Sequence, residues 1–411
     1  MRSRRWFNCM STLPATRELL AIHGGTPVRS SLLPYGRQSI DESDIEAVVD
    51  VLRSDWLTTG PKVGEFEEMF AAYVGSKYAV SFSSGTAALH GAAFAAGLGR
   101  GDEAITTPLT FCATANCLLY QDARPVFADI SSDTLNLDPV QVEQKITSAT
   151  RALIPVDYAG HPAEVESFLN LADRHGLVVI EDACHSLGAE YRGRRVGGLA
   201  HMTVFSFHPV KHVAAGEGGM VTTDDLKLAE KLRRFRNHGI STDARQRQAA
   251  GQWHYEMVAL GFNYRLTDIA CALGLSQMAK LQANLERRRH IARQYARAFS
   301  DLPLLLPSVR DEVSPAWHLY PIRLPLEQLS GGRAEIFRAL RAENIGVNVH
   351  YIPVHMHPYY RENFGYRGGD YPVAEAAYEQ LISLPMFHGM ENSDVQDVID
   401  AVHKVVTAYL Q

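Results

Sequence analysis

The chain has 411 residues, which is too long for a protein with one small hydrophobic core. Chains of this length usually fold into two or three lobes. Its hydrophobic and charged fractions, 46% and 21%, are those of a globular protein and exclude a disordered or fibrous one. A formal net charge of -6 gives no electrostatic footprint for nucleic acid or for an anionic membrane. We therefore expect small-molecule chemistry.

The cysteines and the apolar stretches indicate the compartment. The five cysteines are Cys9, Cys112, Cys117, Cys184 and Cys271. Their number is odd and they contain no CxxC pair, which argues against a disulfide framework and against a cysteine-rich zinc site. The basic start at Met1–Arg5 is followed by no apolar secretory core, and no stretch of roughly 18 apolar residues offers a membrane helix. We expect a cytoplasmic protein with no membrane or nucleic-acid partner.

The N-terminal region, residues 1–40, is predicted to be an irregular arm because turn-forming residues recur at 24–27 and 33–36. From Asp41 the pattern becomes helical, with Asp41 or Ser43 as the N-cap candidate, and a second helix is predicted around Phe66–Tyr73. Such an arm often packs on a partner subunit.

The region that follows alternates short apolar strands with helical patterns. The predicted strands are Tyr78–Phe82, Ala104–Thr107, Pro125–Asp129, Ala152–Asp157, Val178–Asp182, Met202–Phe207 and Met220–Thr223. The helical patterns between them cover 86–96, 111–121, 138–147 and 163–175. This alternation predicts an α/β fold with a mostly parallel sheet, in a large domain over residues 41–275.

The C-terminal region has a different pattern. After about residue 275 a long charged helix runs through 285–289, and strands are predicted near Trp317–Leu324 and Val347–His350. Two further helices are mixed with them. We therefore predict a smaller α+β C-terminal domain over residues 276–411.

The first candidate site follows the strand Tyr78–Phe82. In an open α/β sheet, ligands bind at the carboxyl ends of the strands. Here a helix begins within Ser84, Gly85, Thr86 and Ala87, which offers a hydroxyl, small side chains and free backbone N–H groups. These groups favour an anion of phosphate size. An ordinary N-cap with a glycine turn explains the same residues about equally well.

The second candidate site closes the strand Val178–Asp182. Asp182 is expected at the rim of the sheet, with His185 about one turn further on. A buried carboxylate there suits the pyridinium nitrogen of pyridoxal 5'-phosphate (PLP), whose ring withdraws electrons only while that nitrogen stays protonated. The alternative is an aspartate that caps the next helix.

A lysine and an aromatic residue complete the constellation. Lys211 follows the strand Met202–Phe207 and can reach the same rim, where an amine becomes a useful nucleophile by forming a Schiff base with a carbonyl. Phe111, after another strand, can stack on a flat heteroaromatic ring. Singly, a lysine in a loop is usually solvated and a phenylalanine usually belongs to the core. Their common position at one sheet edge favours the functional interpretation.

Several segments resemble the DegT/DnrJ/EryC1/StrS family of fold-type I PLP-dependent sugar aminotransferases. They are SSGTAAL, TTPLTFCATAN, VDYAGHPAEVE, EDACHSLGAEY, FSFHPVKHVAAGEGGMV and GFNYRLTDIACALGLSQ, and the resemblance covers roughly residues 22–410. Within the family, the SFH-x-x-K and HY-x-P-x-x segments are similar to those of the UDP-4-amino-4,6-dideoxy-N-acetyl-β-L-altrosamine transaminases of pseudaminic acid biosynthesis.

The resemblance implies a role for each matching residue. Lys211 would be the Schiff-base lysine, Asp182 the partner of the pyridinium nitrogen, and His185 a neighbour of the cofactor. The phosphate would be bound by Gly85, Thr86 and Ser206. Asn263 would reach the cofactor of the other subunit, which implies a homodimer with shared active sites. The residues near the sugar nucleotide would be Thr58, Thr59, His350 and Tyr351.

The implied reaction transfers an amino group from L-glutamate to the C4 keto carbon of a nucleotide-linked 4-keto-6-deoxy sugar. Other readings stay open. The GGTPVR arm resembles that of aminocyclitol and aminohydroxybenzoate synthases, and sugar dehydratases share the fold but carry histidine where Lys211 stands. A catalytically silent regulator or binding module is the non-enzyme alternative.

A metal site is not predicted. His355 and His357 lie in a loop between Pro353 and Pro358, without nearby carboxylates or cysteines that would complete a tetrahedral site.

Overall fold

The computed structural model describes residues 19–242, 247 and 249–411. Residues 1–18 of the predicted arm, Cys9 among them, lie outside these ranges. The described part of the arm packs on the C-terminal region, because Leu33 forms a bridge with Ile345 and its carbonyl accepts from the Gly346 amide at 2.7 Å.

The large sheet has seven strands and confirms the predicted α/β fold. In chain order the strands of this region are β1 (Tyr78–Phe82), β2 (Glu103–Thr106), β3 (Arg124–Phe127), β4 (Thr150–Ile154), β5 (Val178–Asp182), β6 (Glu190–Tyr191), β7 (Arg194–Arg195), β8 (Met202–Ser206) and β9 (Gly219–Thr223). The order across the sheet is β1-β9-β8-β5-β4-β2-β3, with β9 antiparallel to both neighbours and the other pairs parallel. Apolar runs suit such strands because helices cover both faces.

The helices around this sheet begin at recognisable caps. They are α1 (Glu42–Leu52), α2 (Pro61–Val74), α3 (Gly85–Ala95), α4 (Ala113–Leu119), α5 (Pro139–Glu143), α6 (Val165–His175) and α7 (Leu226–Phe235). Asp41, one of the two predicted N-cap candidates, caps α1 and forms a reciprocal pair with Asp44, and Pro61 and Pro139 occupy first helical positions. The local sequence thus specifies where most of these helices begin.

A 31-residue helix, α8 (Asp268–Ala298), links the two regions. Because α8 is continuous, the predicted boundary between residues 275 and 276 falls inside a helix, and the division into domains stays a prediction. Its N-terminal half packs on α1 and α2, and later residues such as Ile291 and Tyr295 enter the C-terminal core.

The C-terminal region contains two small pairings and four more helices. The strands are β10 (Val313–Ser314), which pairs with β6, and β11 (Tyr320–Arg323) and β12 (Leu381–Leu384), which pair with each other. The helices are α9 (Arg333–Ala342), α10 (Pro358–Phe364), α11 (Pro372–Gln380) and α12 (Asn392–Tyr409). Their apolar faces close on one core around β11 and β12. No helix within the described ranges has the length and apolar character of a membrane span.

The predicted strand at Val347–His350 is wrong. A single bridge joins Asn348 to Ser383, and the Val349 amide then donates to the Asn348 side-chain oxygen at 2.8 Å instead of to a neighbouring strand. Local side-chain bonds of this kind compete with a β ladder, so the segment continues as a loop.

Candidate active site

A cavity of about 520 Å³ opens where β1, β2, β4, β5 and β8 end. These are the carboxyl ends of the strands, the edge at which open α/β sheets bind their ligands. Ten predicted site residues line it: Ser84, Gly85, Thr86, Phe111, Asp182, His185, Ser206, Lys211, His350 and Tyr351. The tertiary structure therefore brings together residues from most of the chain.

The anion site lies at the start of α3. Ser84 is the N-cap, and its hydroxyl oxygen accepts from the Ala87 amide at 3.1 Å. The Gly85 and Thr86 amides precede the first intrahelical bonds and are left for a ligand. A Cβ atom on Gly85 would lie 2.9 Å from Cβ of Ser206, so glycine keeps this cradle open. Ala87, which was expected among the cofactor-binding residues, does not line the cavity, and its amide donates to the cap.

Asp182 ends β5 at the floor of the cavity and is 4% exposed. Its Oδ2 accepts from the Thr114 hydroxyl at 2.7 Å, and its Oδ1 accepts from the Cys184 amide at 3.2 Å. Turns, and no helix, follow this residue. The helix-capping alternative is thereby removed, and the side chain is fixed where a ligand with a cationic ring nitrogen would meet it.

His185 is buried beside Tyr351. Its Nε2 lies 3.0 Å from the Tyr351 hydroxyl, and its Nδ1 has no partner among the described residues. Burial, and then the nearby Lys211 amine, lower the pKa of His185 well below its usual value, so the ring is neutral. A buried polar atom without a partner indicates a site that a ligand completes.

Lys211 lines the same cavity. Burial lowers the pKa of its amine, and the neighbouring Cys184 and Asp182 oppose that effect. Its Nζ lies 3.3 Å from Nε2 of His318. A lysine with a lowered pKa in a sheltered cavity suits covalent catalysis on a carbonyl group.

Thirteen further residues line the cavity that were not predicted to do so, and three of them are polar or aromatic residues from the N-terminal arm or the C-terminal region. His318 lies just before β11, Asn348 belongs to the segment predicted as a strand, and Tyr35 comes from the N-terminal arm. The Tyr35 ring lies 5.3 Å from the His350 ring. The sequence offered one signal for His318, because it is a histidine within the otherwise apolar run 316–322. A histidine in such a run is also common in ordinary hydrophobic cores.

Three predicted residues lie away from the cavity of their own chain. Thr58 is exposed and pairs with Thr267, Thr59 has a left-handed backbone with φ of 55°, and Asn263 is exposed and pairs with Asn237. None of the three lines the cavity. Their roles in binding stay predictions that a second subunit would have to realise.

The histidine-rich loop has a structural role. His355 is buried, and its Nε2 lies 2.9 Å from Oε1 of Glu375. Within the described ranges, no group of three or more histidine, cysteine, aspartate or glutamate side chains is arranged to hold a metal ion.

The residues present fit PLP. The Gly85 cradle suits a phosphate, Asp182 suits a ring nitrogen, His185 lines the same cavity and has a buried ring nitrogen without a partner among the described residues, and Lys211 suits an aldehyde. A mostly parallel seven-stranded sheet with this combination at its carboxyl edge defines a fold-type I PLP-dependent aminotransferase.

Comparison with known proteins identifies the family. The model of the DegT/DnrJ/EryC1/StrS aminotransferase family matches residues 38–403, and the chain belongs to this family. The family predicted from the sequence motifs is thus confirmed, and with it an aminotransferase that uses PLP and acts on sugars.

Three relatives illustrate the similarity. The spore coat polysaccharide biosynthesis protein SpsC of Bacillus subtilis is 44% identical over 381 residues, which cover 92% of this chain and 98% of SpsC. The structure of Helicobacter pylori PseC, an aminotransferase involved in the biosynthesis of pseudoaminic acid, is 34% identical with a TM-score of 0.85 and covers 92% and 100% of the two chains. The putative sugar aminotransferase Spr1654 of Streptococcus pneumoniae, solved in PLP and PMP forms, is 30% identical with a TM-score of 0.86, and its PLP form covers 92% and 100%.

Proposed function

We propose that this enzyme transfers the amino group of L-glutamate to the C4 keto carbon of a nucleotide-linked 4-keto-6-deoxy sugar. The observation that carries the proposal is the meeting of Lys211, Asp182 and the Gly85 cradle in one cavity. The similarity to PseC supports an aminosugar as the product.

The proposed residue roles follow from position. Bound PLP supplies an electron sink for the carbon from which a proton is removed. Asp182 keeps the proton on the ring nitrogen by charge pairing, and the Gly85 and Thr86 amides with Ser206 bind the phosphate. Lys211 Nζ carries the proton between the two carbon atoms that exchange it.

The reaction divides into two half-reactions. In the first the amino donor would depart as a keto acid, and in the second the sugar would accept the amino group at its keto carbon, with Lys211 moving the proton in both. Since both substrates use Lys211 in turn, ping-pong kinetics are expected. The aromatic and polar residues at the cavity mouth, Phe111, His350, Tyr351, Tyr35 and Asn348, are proposed to contact the sugar nucleotide.

A homodimer with shared sites is the proposed assembly. Asn263 is preceded by a segment with unusually exposed apolar side chains, among them Trp253 at 83%, Met257 at 68% and Leu260 at 74%. Contiguous exposed apolar residues of this kind mark interaction surfaces. A two-fold partner that covers this segment would place its cavity beside Asn263.

The four described cysteines carry no disulfide bond. This supports the proposed location in a reducing cytoplasm.

The test of the proposal uses Lys211→Ala. The wild-type protein with PLP is expected to be yellow, and the variant is expected to lose both the absorbance band and turnover, because Lys211 is the one lysine among the described residues that line the cavity. Turnover is measured by mass spectrometry with L-glutamate and a panel of 4-keto-6-deoxy sugar nucleotides. Lys227→Ala, a change at an exposed lysine on α7, is the matched control and should behave as wild type. Retained turnover in Lys211→Ala would contradict the assignment.

A further inference from the structure

His318 contacts the reactive lysine from the C-terminal region. Its side chain is 4% exposed, and its Nε2 lies 3.3 Å from Lys211 Nζ. Its Nδ1 has no partner among the described residues, so the contact with Lys211 is the one hydrogen bond that the structure assigns to this ring. Burying a polar ring costs free energy, and the hydrogen bond to Lys211 Nζ offsets part of that cost.

The backbone around His318 is held from two sides. The Arg288 side chain, fully buried in α8, donates to the carbonyl oxygens of Trp317 at 3.1 Å, His318 at 3.3 Å and Met386 at 2.9 Å. On the other side, a Cβ atom on Gly160 would lie 2.9 Å from the His318 amide nitrogen. All three contacts come from Nη1 of Arg288, and two of them go to the backbone of residues 317 and 318, so this group ties the segment to α8.

The surroundings keep the imidazole neutral. Burial, and then the positive charge of Lys211, lower the pKa of His318 well below its usual value. The groups that face it are Lys211, the Arg288 guanidinium, and the rings of His185 at 4.4 Å and His212 at 5.7 Å. His212 is occupied elsewhere, since its Nε2 lies 2.9 Å from the Ala316 carbonyl oxygen.

We propose that His318 is a positioning residue for Lys211, and that its neutral Nε2 accepts a hydrogen bond from Nζ. The proposal rests on the proposed role of Lys211. While the amino donor or the sugar occupies the cavity, the Lys211 amine would be free to carry the proton. The hydrogen bond to His318 would hold that amine in one position in the cavity.

The test compares His318→Gln with His318→Phe. The glutamine amide lies as many bonds from the backbone as Nε2 does and can still accept, whereas phenylalanine keeps an aromatic ring against His185 but has no acceptor. In cofactor-free protein, trace acetylation of Lys211 over a pH series, read by peptide mass spectrometry, gives the pKa of Nζ. An accepted hydrogen bond favours the ammonium, so His318→Phe should lower this pKa by about one unit and His318→Gln should leave it near the wild-type value.

Activity of the loaded enzyme gives the second measurement. The half-reaction with L-glutamate should slow about 10²-fold in His318→Phe, the cost of a misplaced reacting group, and His318→Gln should restore most of the rate. His161→Gln removes a buried imidazole outside the cavity and is the control, expected to change neither measurement.

The outcomes separate the two proposals. The positioning role is overturned if the pKa of Lys211 is unchanged or raised in His318→Phe. It is also overturned if this pKa falls equally in His318→Gln. If His318→Phe does not fold, the smaller His318→Leu takes its place with the same expectation. Borohydride reduction of the loaded wild-type enzyme and peptide mapping tests the role of Lys211 independently, because a label on another lysine would refute that role and leave the acetylation result intact.

Discussion

Asp182 lies next to two buried carboxyl groups that the site does not use. Glu181 precedes it on β5 and points to the other face of the sheet, and Asp157 follows β4. Burial raises the pKa of Asp157 to about 7 and that of Glu181 well above its usual value. Of these three neighbouring carboxyl groups, only that of Asp182 belongs to a residue that lines the cavity.

Replacement of Asp182 tests the ring-nitrogen contact. Asp182→Asn should remain folded but slow turnover about 10- to 100-fold, because a charged hydrogen bond to the cofactor is lost and the electron sink weakens. The measurement is kcat, with circular dichroism as a check of folding. Glu181→Gln, which replaces a buried neutral acid by an amide of the same shape, should keep a nearly normal rate. A normal rate in Asp182→Asn would count against the assignment.

His185 is expected to tolerate one replacement. Because its ring is neutral, it serves through hydrogen bonding, and glutamine at this position offers both a donor and an acceptor. His185→Gln should therefore keep turnover within about tenfold of wild type, whereas His185→Ala should lose more. Steady-state kinetics compares the two. Complete loss in His185→Gln would show that this ring carries protons in the reaction.

At the scale of elements, the start of α3 decides phosphate binding. The cradle depends on the absence of a side chain at Gly85, since an added Cβ atom would meet Ser206 from 2.9 Å and Cys184 Sγ from 3.5 Å. The cradle therefore depends on the local sequence that begins α3 and also on the close approach of Ser206 in β8 and of Cys184 in the loop after β5.

Gly85→Ala tests this cradle. Overpacking against Ser206 should weaken PLP binding about tenfold or more, measured by absorbance titration of the cofactor-free protein. Gly64→Ala is the control, because a Cβ atom there meets nothing within 4 Å and alanine favours the helix α2. Unchanged PLP affinity in Gly85→Ala would place the phosphate elsewhere.

At the scale of the whole molecule, the proposed active site includes residues of a second subunit. Asn263, Thr58 and Thr59 lie outside the cavity of their own chain, while Lys211 lies inside it. If the partner supplies Asn263, each site combines two chains.

Subunit mixing tests the shared site. Lys211→Ala and Asn263→Ala chains should each be defective, the second because a phosphate oxygen loses a buried donor worth roughly 1–3 kcal/mol. Unfolded together and reassembled in equal amounts, about half of the dimers are mixed, and each mixed dimer has one intact site. About a quarter of the wild-type activity should therefore return. If mixed dimers form and no activity returns, Asn263 serves its own subunit.

The sequence by itself determined the features that depend on neighbouring residues. Strand β1 and strand β5 were predicted with their observed bounds, and the cap at Asp41 was found, because apolar runs and capping residues act within a few positions. It also placed Lys211, Asp182 and Gly85 at one edge, since parallel strands bring their carboxyl ends together. The strand predicted at Val347–His350 failed where a local side-chain bond replaced the ladder.

Only the tertiary structure decided which distant residues complete the site. His318 meets Lys211 because Arg288 of α8 and the turn at Gly160 fix its loop, and no local pattern records contacts over such separations. Tyr35 enters the cavity for the same reason, since the arm packs on the C-terminal region. Side chains in a packed interior contact residues from all parts of the chain, and these contacts form only in the folded structure.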